Sequence, residues 1–199
     1  MLCAVVASGR STLVNAACEP HGQEFCAFFA RMGVRVAGSG SSQLVIEGVD
    51  GLGGTDYTFD DDFHEVATFL ALSAISGGDV VVKNDVPAQF PLLDRTFLKF
   101  GVELGHRGGF SCAHVAGPMR VRRTTTEAVM QKVEAAPWPD VPANLLPVFI
   151  ALGVRAEGSV LTRTRSTRAR SAGARSFASS APMRRSAIRT GWSRTATSR

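Results

Sequence analysis

The pattern of hydrophobic and polar positions occurs twice along the chain in the same order. Residues 8–36, "SGRSTLVNAACEPHGQEFCAFFARMGVRV", align without a gap on residues 76–104, "SGGDVVVKNDVPAQFPLLDRTFLKFGVEL", at an offset of 68 residues. The alignment pairs Gly33 with Gly101. A repeat at a fixed offset indicates that both copies form the same supersecondary unit.

Each copy begins with a predicted strand, and two more strands follow its helix. The runs "STLVNA" and "DVVVKN" have the length and β-branched content of strands, and a loop with Pro20 or Pro87 follows them. The later strands are "VRVAG" and "QLVIEG" in the first copy, and "VELGH" and "FSCAHVAG" in the second. Helical stretches, "LCAVVAS" and "HEVATFLALSAIS", precede the copies. The predicted unit is therefore helix, strand, helix, strand, strand.

The helix inside each copy is predicted by the spacing of its apolar residues. They recur at i, i+3, i+4 and i+7, which places them in one stripe along a helix. Gly33 and Gly101 then stand where a helix commonly ends with a left-handed residue. The stripe residues of the first copy are Phe25, Phe28, Phe29 and Met32, and the same places in the second copy are taken by Leu93, Thr96, Phe97 and Phe100.

A third copy starts near residue 144 and then loses the pattern. "NLLPVFIALGVRAEGSVL" predicts a helix, a glycine turn and a strand start, but no apolar period survives after residue 161. Residues 162–199 contain ten Arg and no Asp or Glu; because the whole chain has a net charge of +5, residues 1–161 carry −5. Few apolar residues remain there to offset chain entropy, so residues 162–199 are predicted to be a disordered tail.

Two interpretations of the tail remain open. A basic arm could bind nucleic acid or another acidic partner through its arginines. A shifted reading frame would instead give an Arg- and Ser-rich sequence unrelated to the fold. The loss of pattern inside a strand favours the shifted frame, because a functional arm more naturally begins after a completed element.

Composition narrows the class of protein. An apolar content of 45% is enough for a sizeable core. Neither a CxxC pair nor a zinc-type Cys/His spacing is found, so we expect no metal, no cofactor and a reducing, cytoplasmic setting. No apolar run reaches about 20 residues, and the opening "MLCAVVASGR" is too short for a signal peptide, so no membrane span is predicted. The cysteines are Cys3, Cys18, Cys26 and Cys112.

Several motifs, from "NAACEP" at residues 15–20 to "APWPDVPANLLPVF" at residues 136–149, together resemble those of one enzyme family, the UDP-N-acetylglucosamine enolpyruvyltransferases. "NAACEP" is similar to the NAA-x-EP motif of that family, and "IEGV" with "LGGTDY" is similar to its IEGV and LGG-x-Y segments. "DDDFHEVATF" resembles its PDRIE-x-GTF segment, and "APWPDVPANLLPVF" resembles its P-x-P-x-FPTD segment. The similarity covers residues 1 to about 161 in consistent order. The shikimate-phosphate enolpyruvyltransferases share the fold but match these motifs less well.

The resemblance implies an α/β (α+β) fold, the inside-out α/β barrel of the enolpyruvyltransferases. Members have two lobes, each built from three helix–strand units with sheets outside and helices inside. Residues 1–60 correspond to the last unit of one lobe and residues 61–161 to the first part of the second. We therefore expect an incomplete barrel, followed by the tail of residues 162–199.

The resemblance also implies a reaction. The family transfers the enolpyruvyl group of phosphoenolpyruvate to the 3-hydroxyl of UDP-N-acetylglucosamine, a step of peptidoglycan synthesis and so of cell-wall formation. No cysteine of this chain matches the family's Cys-bearing loop, and the family's Lys-Asn pair has no counterpart, so the catalytic residues stay unassigned. We expect this chain alone to be inactive. The alternatives are a shikimate-phosphate enzyme, and a non-enzymatic fragment or divergent paralogue with a nucleic-acid-binding tail.

Three substrate-binding candidates follow from the motifs. Glu19 matches the Glu of NAA-x-EP, although an acid beside Pro20 is also an ordinary helix start. Asp62 matches the Asp of PDRIE, and it could equally cap the next helix. Asn144 stands where the family has the Asp proposed as base for the sugar hydroxyl, and Asn cannot accept that proton. Its alternative role is also a helix cap.

The remaining motifs have simpler interpretations. Cys18 is expected to be a partly buried filler, His21 a solvated polar group, and Phe63 a replacement for the family's Arg. "GSGSS" lacks a P-loop Lys and a following helix, so it predicts a turn between strands. "MRVRR", residues 119–123, predicts a strand with a solvated basic face.

Overall fold

The chain consists of two compact units. The computed structural model describes residues 1–123 and 130–163, together with the backbone of Arg189–Thr190. The first unit comprises Met1–Asp62 and Pro137–Pro139, and the second comprises Phe63–Ala136 and Asp140–Arg199. Each unit is built around its own sheets and helices.

The first unit contains two helices and one three-stranded sheet. Strand order in the sheet is β1-β3-β2, and β3 is antiparallel to both neighbours. The strands β1 and β2 therefore run parallel to each other, with α2 as the connection between them. The elements are α1 (Leu2–Val5), β1 (Arg10–Val14), α2 (Pro20–Arg31), β2 (Arg35–Ala37) and β3 (Gln43–Glu47).

Helix α2 forms as its apolar stripe predicts, and it ends at Gly33. Phe29 is 3% exposed and packs in a cluster with Val5, Val34 and Ile46. Gly33 has a φ of 94°, and the amide of Val34 donates to the carbonyl of Phe29 at 3.1 Å. This left-handed residue with a hydrogen bond back into the last turn is a common helix ending that only glycine adopts without strain.

The "GSGSS" segment is a turn between β2 and β3, as predicted. Gly38 and Gly40 have φ values of 83° and 78°. The hydroxyl of Ser41 donates to the carbonyl of Gly38 at 2.8 Å. The polar groups of the segment are thus used to close the turn.

The second unit repeats this topology. Its first sheet has the order β4-β6-β5, and β6 is antiparallel to both neighbours. Gly101 ends the region of α4 with a φ of 76°, as Gly33 ends α2. The predicted repeat is confirmed at the level of strand order. The elements are α3 (Phe63–Ser76), β4 (Val81–Lys83), a short 3-10 helix (Pro87–Gln89), α4 (Pro91–Leu98), β5 (Val102–Arg107) and β6 (Phe110–Val115).

The second unit continues into a helix and a parallel sheet. The elements are β7 (Gln131–Glu134), α5 (Leu146–Arg155), β8 (Val160–Arg163) and β9 (Arg189–Thr190). Strand β8 pairs in parallel with both β7 and β9. Strand structure therefore extends past residue 161, while most of the predicted tail lies outside the described residues.

Aromatic side chains form the core of the second unit. The ring centroid of Phe149, on α5, lies 5.3 Å from that of Phe97 and 6.2 Å from that of Phe100. All three rings are fully buried. Burying each such side chain contributes about 1.5–3 kcal/mol relative to exposure, so this group fixes α5 against the region of α4.

Two expected elements differ from the prediction. Helix α1 ends at Val5 instead of reaching Ser8, because Gly9 takes a φ of 82° and β1 follows at Arg10. Residues 119–123 do not form the predicted strand: Arg120 makes one isolated bridge with Glu157. The amide of Arg122 donates instead to the carbonyl of Lys99 at 2.8 Å, which holds this segment against the C-terminal end of α4.

Candidate functional site

Glu19 is the N-cap residue of α2. Its carbonyl accepts hydrogen bonds from the amides of Gly22 and Gln23 at 2.9 Å and 3.1 Å, and Pro20 is the first helical residue. The Glu19 side chain makes no capping hydrogen bond and is half-buried. The helix start therefore uses the backbone of Glu19 and not its carboxylate.

The residues around Glu19 are held by the backbone. The side-chain amide of Gln23 donates to the carbonyl of Cys18 at 2.8 Å. The thiol of Cys18 is half-buried and donates to the carbonyl of Trp138 at 3.4 Å. His21 is exposed on the first turn of α2. In this segment, Cys18 thus joins two loops, and Glu19 keeps the carboxylate that could bind a ligand.

Asp62 is exposed and directly precedes α3. Glu65 adds a second carboxylate in the first turn of that helix. Phe63, the replacement for the Arg of the related motif, is 2% exposed and belongs to the core. An apolar ring therefore occupies the interior where the resemblance implies a polar contact, and Asp62 lies at the surface.

Asn144 is exposed in the turn that leads into α5. The N-cap of α5 is Leu145, with no side-chain capping bond, and the amide of Leu145 donates to the carbonyl of Pro142 at 3.0 Å. The alternative of Asn144 as a helix cap is therefore wrong, because backbone hydrogen bonds already close this turn. Its side-chain amide can both donate to and accept from a ligand.

The three candidates share one kind of position. Each lies at or just before the first residue of a helix: Glu19 at α2, Asp62 at α3 and Asn144 at α5. Glu19 and Asp62 belong to the first unit, and Asn144 belongs to the second. Their side chains can hydrogen-bond hydroxyl and amide groups, but none of them supplies the positive charge that binds a phosphate.

A crevice in the second unit was not predicted from the sequence. A cavity of about 420 Å³ is lined by side chains that include Glu103, His114, Arg120 and Arg122. Arg122 pairs with Glu103 at 2.9 Å, and Arg120 pairs with Glu157 at 3.0 Å. The arginines of "MRVRR" gave the only sequence signal for it, and that pattern had indicated a strand face.

The described part of the chain contains no group of residues that could ligate a metal and no helix that could span a membrane. Within residues 1–123 and 130–163, no three His, Cys, Asp or Glu side chains group as metal ligands would. Among the helices that the structure describes, none combines the length and apolar character needed to cross a membrane. All four cysteines are free thiols.

Comparison with known proteins identifies the family. Residues 1–178 match the family model of EPSP synthase (3-phosphoshikimate 1-carboxyvinyltransferase). The chain is 33% identical over 161 residues to a UDP-N-acetylglucosamine 1-carboxyvinyltransferase of Bacteroides fragilis, covering 81% of the chain and 37% of the relative. It is 30% identical over 161 residues to the Borreliella burgdorferi enzyme of that name, covering 81% and 38%. The chain thus spans little more than a third of these relatives.

The fold agrees with this assignment. The enolpyruvyl transferase NikO from Streptomyces tendae superimposes with a TM-score of 0.65 at 20% identity, covering 84% of this chain and 39% of that chain. The predicted fold class, an α/β fold of the enolpyruvyltransferase type, is confirmed. From the match over residues 1–178 and this common fold, we conclude that the chain belongs to the EPSP synthase family of enolpyruvyl (carboxyvinyl) transferases.

Proposed function

We propose that the chain takes part in enolpyruvyl transfer from phosphoenolpyruvate to the 3-hydroxyl of UDP-N-acetylglucosamine, in the cytoplasmic part of peptidoglycan synthesis. The observation that carries this proposal is the identity of 30–33% over 161 residues to relatives named for that acceptor. The motifs from "NAACEP" to "APWPDVPANLL" follow the order of that enzyme family along the same stretch.

Asn144 is proposed to hydrogen-bond the sugar nucleotide. It is exposed in the turn before α5, and the helix start does not use its side chain. An amide offers two N–H donors and a carbonyl acceptor, but at neutral pH it cannot remove a proton from a hydroxyl. In this proposal Asn144 binds the acceptor and does not act as a base.

Glu19 and Asp62 are proposed as further contacts to substrate. A carboxylate accepts hydrogen bonds from sugar hydroxyls and amides. The carboxylate of Glu19 makes no capping hydrogen bond to α2, and Asp62 is exposed directly before α3. Because both are negative, the phosphate and carboxylate groups of the substrates need cations from elsewhere in an active enzyme.

We further propose that this chain has no turnover by itself. No residue here corresponds to the family's Cys-bearing loop or Lys-Asn pair, and Phe63 is buried at the position of the Arg in PDRIE. Proton donation and charge stabilisation therefore lack their usual groups.

Phosphate release by the purified chain tests these proposals. The chain is incubated with phosphoenolpyruvate and either UDP-N-acetylglucosamine or 3-phosphoshikimate, and free phosphate is measured against a reaction without protein. We expect no release in either mixture. Robust release with UDP-N-acetylglucosamine would overturn the claim of inactivity and support the acceptor. Release with 3-phosphoshikimate alone would overturn the acceptor and favour the shikimate-phosphate alternative.

A second candidate function rests on the tail. Residues 162–199 contain ten Arg and no acidic residue, a composition suited to nucleic-acid binding. Binding of a labelled single-stranded oligonucleotide is compared at low and moderate salt for the full chain and for a variant truncated after Leu161. Strong salt-sensitive binding that the truncation abolishes would support a nucleic-acid module. Equal weak binding by both proteins would exclude it.

A further inference from the structure

Four polar side chains form a continuous line across the first sheet of the second unit. The side-chain amide of Asn84 donates to the hydroxyl of Ser111 at 2.8 Å. That hydroxyl lies 2.6 Å from Nδ1 of His106, and Nε2 of His106 lies 3.1 Å from Oδ1 of Asp94. The line begins just after β4, crosses β6 and β5, and ends on α4.

Burial makes these hydrogen bonds important for packing. Asn84 and Ser111 are each 1% exposed, and the His106 side chain is 17% exposed. The ring of Phe90 covers His106, with centroids 5.0 Å apart. A buried polar group without a partner costs about 1–3 kcal/mol, so removing one member of the line leaves its neighbours unsatisfied.

The residues at the two ends of the line, Asn84 and Asp94, determine which atom donates in each hydrogen bond. Oδ1 of Asn84 accepts from the amide of Val86 at 3.0 Å, which turns the NH₂ group of Asn84 toward Ser111. At the other end the carboxylate of Asp94 can only accept, so Nε2 of His106 carries the proton. In a neutral ring Nδ1 is then an acceptor, and the hydroxyl of Ser111 donates to it.

The first unit shows that the fold itself does not require this line. At the offset of 68 residues, Asn84, Asp94 and Ser111 correspond to Ala16, Cys26 and Gln43, and His106 corresponds to Gly38. A backbone bond at the start occurs in both units, with its acceptor shifted by one position: the amide of Ala16 donates to the carbonyl of Ser42, and that of Asn84 donates to the carbonyl of Gly109. Cys26 is buried on α2, whereas α4 carries the charged Asp94 at that place.

The combination of Ser, His and Asp does not make a hydrolytic site here. A nucleophilic hydroxyl must reach a substrate carbonyl. Ser111 is 1% exposed, and its hydroxyl already bonds both Asn84 and His106. The line therefore holds the structure together and is closed to a substrate.

We propose that Asn84, Ser111, His106 and Asp94 form a directional hydrogen-bond latch that holds His106 as the Nε2–H tautomer and docks α4 on its sheet. The latch fixes the connection between β4 and α4 at both ends, at Asn84 and at Asp94. Local unfolding of α4 must therefore break this line of hydrogen bonds. In α2, Cys26 takes the place of Asp94.

Imidazole ¹⁵N NMR and amide hydrogen exchange on the full chain test the latch. In its neutral form, the wild-type His106 ring should carry its proton on Nε2. Ser111→Ala should raise exchange of the α4 amides about tenfold, because it leaves a buried donor and acceptor unpaired. The matched control Gln43→Ala should leave exchange of the α2 amides unchanged.

A second variant keeps the test decisive if Ser111→Ala does not fold. His106→Phe keeps an aromatic ring but removes both the acceptor for Ser111 and the donor for Asp94, so it should also raise exchange in α4 about tenfold. A wild-type ring protonated on Nδ1 would overturn the direction of the latch. Exchange in α4 that stays within about twofold of wild type in the folded variants would overturn its role in docking.

Discussion

Gly33 and Gly101 have the same backbone conformation at equivalent places in the two units. Their φ values are 94° and 76°, and they follow α2 and α4 respectively. Their surroundings differ: a Cβ on Gly33 would meet nothing within 4 Å, whereas a Cβ on Gly101 would lie 3.2 Å from the carbonyl oxygen of Arg120. Glycine is thus required at Gly101 both by the left-handed backbone and by the close approach of Arg120, whereas at Gly33 it is required by the left-handed backbone.

The first prediction compares alanine at these two positions. Gly33→Ala should lower the free energy of unfolding by about 1–2 kcal/mol, the cost of a left-handed alanine. Gly101→Ala should lower it further, since the added methyl group also presses on the backbone of Arg120. Urea unfolding at neutral pH measures both. A Gly101→Ala variant no less stable than Gly33→Ala would contradict the close approach.

The second prediction concerns pH and the sheet of the first unit. Glu47, on the central strand, pairs with Arg10 at 3.0 Å and Arg35 at 3.4 Å. The hydrogen bond from Arg10 is the main cause that lowers the pKa of Glu47 below its ordinary 4.5, with a smaller contribution from Arg35. A carboxyl with a lowered pKa stabilises the fold above its unfolded pKa, and this contribution disappears as the pH falls through the folded pKa.

Urea unfolding between about pH 3 and pH 6 tests this dependence. The free energy of unfolding should decrease as the pH is lowered through this range, and the decrease should be smaller for Glu47→Gln. Arg10→Gln should reduce the pH dependence more than Arg35→Gln, because Arg10 makes the stronger bond. Equal pH profiles for wild type and Glu47→Gln would refute the assignment.

The third prediction concerns Lys99 in the second unit. Its ammonium donates to the carbonyl of Lys132 at 2.8 Å, and burial lowers its pKa below 10.5 although Asp140 acts in the opposite direction. The folded state therefore loses this proton at a lower pH than the unfolded state. Stability should rise with pH between the folded pKa and 10.5.

Titration of the lysine side chains by ¹³C NMR checks this directly. The chain has three lysines, Lys83, Lys99 and Lys132, so Lys99→Arg assigns the signal. We expect Lys99 to titrate below 10.5, the pKa of an ordinary lysine. A Lys99 signal that titrates at or above 10.5 would show that burial does not act on it.

The repeat was predictable from the sequence because it depends on local signals. Apolar spacing gave α2 and α4, and Gly33 and Gly101 gave their ends. The strand predicted over residues 119–123 was wrong, since Arg122 bonds to Lys99, far away in the sequence. Strand β7 was not predicted because its partner, β8, lies beyond α5. Patterns along the chain report local periodicity, and such long-range pairing leaves no periodic trace.

The candidate site was predictable only in part. Glu19, Asp62 and Asn144 were found by resemblance, and the structure shows what periodicity could not, that each stands at a helix start. Asn144 could cap α5 only if the helix began one residue earlier. The helix begins at Leu146, so its N-cap is Leu145. The latch from Asn84 to Asp94 had no sequence signal, because its members are ordinary polar residues that only the sheet brings together.

The fourth prediction tests binding of the acceptor, which is the central claim. Titration calorimetry with UDP-N-acetylglucosamine is carried out on the wild-type chain, on Asn144→Ala and on the control Ser159→Ala, an exposed residue in the loop between α5 and β8. We expect saturable binding that Asn144→Ala weakens tenfold, or by about 1.4 kcal/mol, while Ser159→Ala binds as wild type. Absence of saturable binding by the folded wild-type chain, or equal affinity of Asn144→Ala, would contradict this claim.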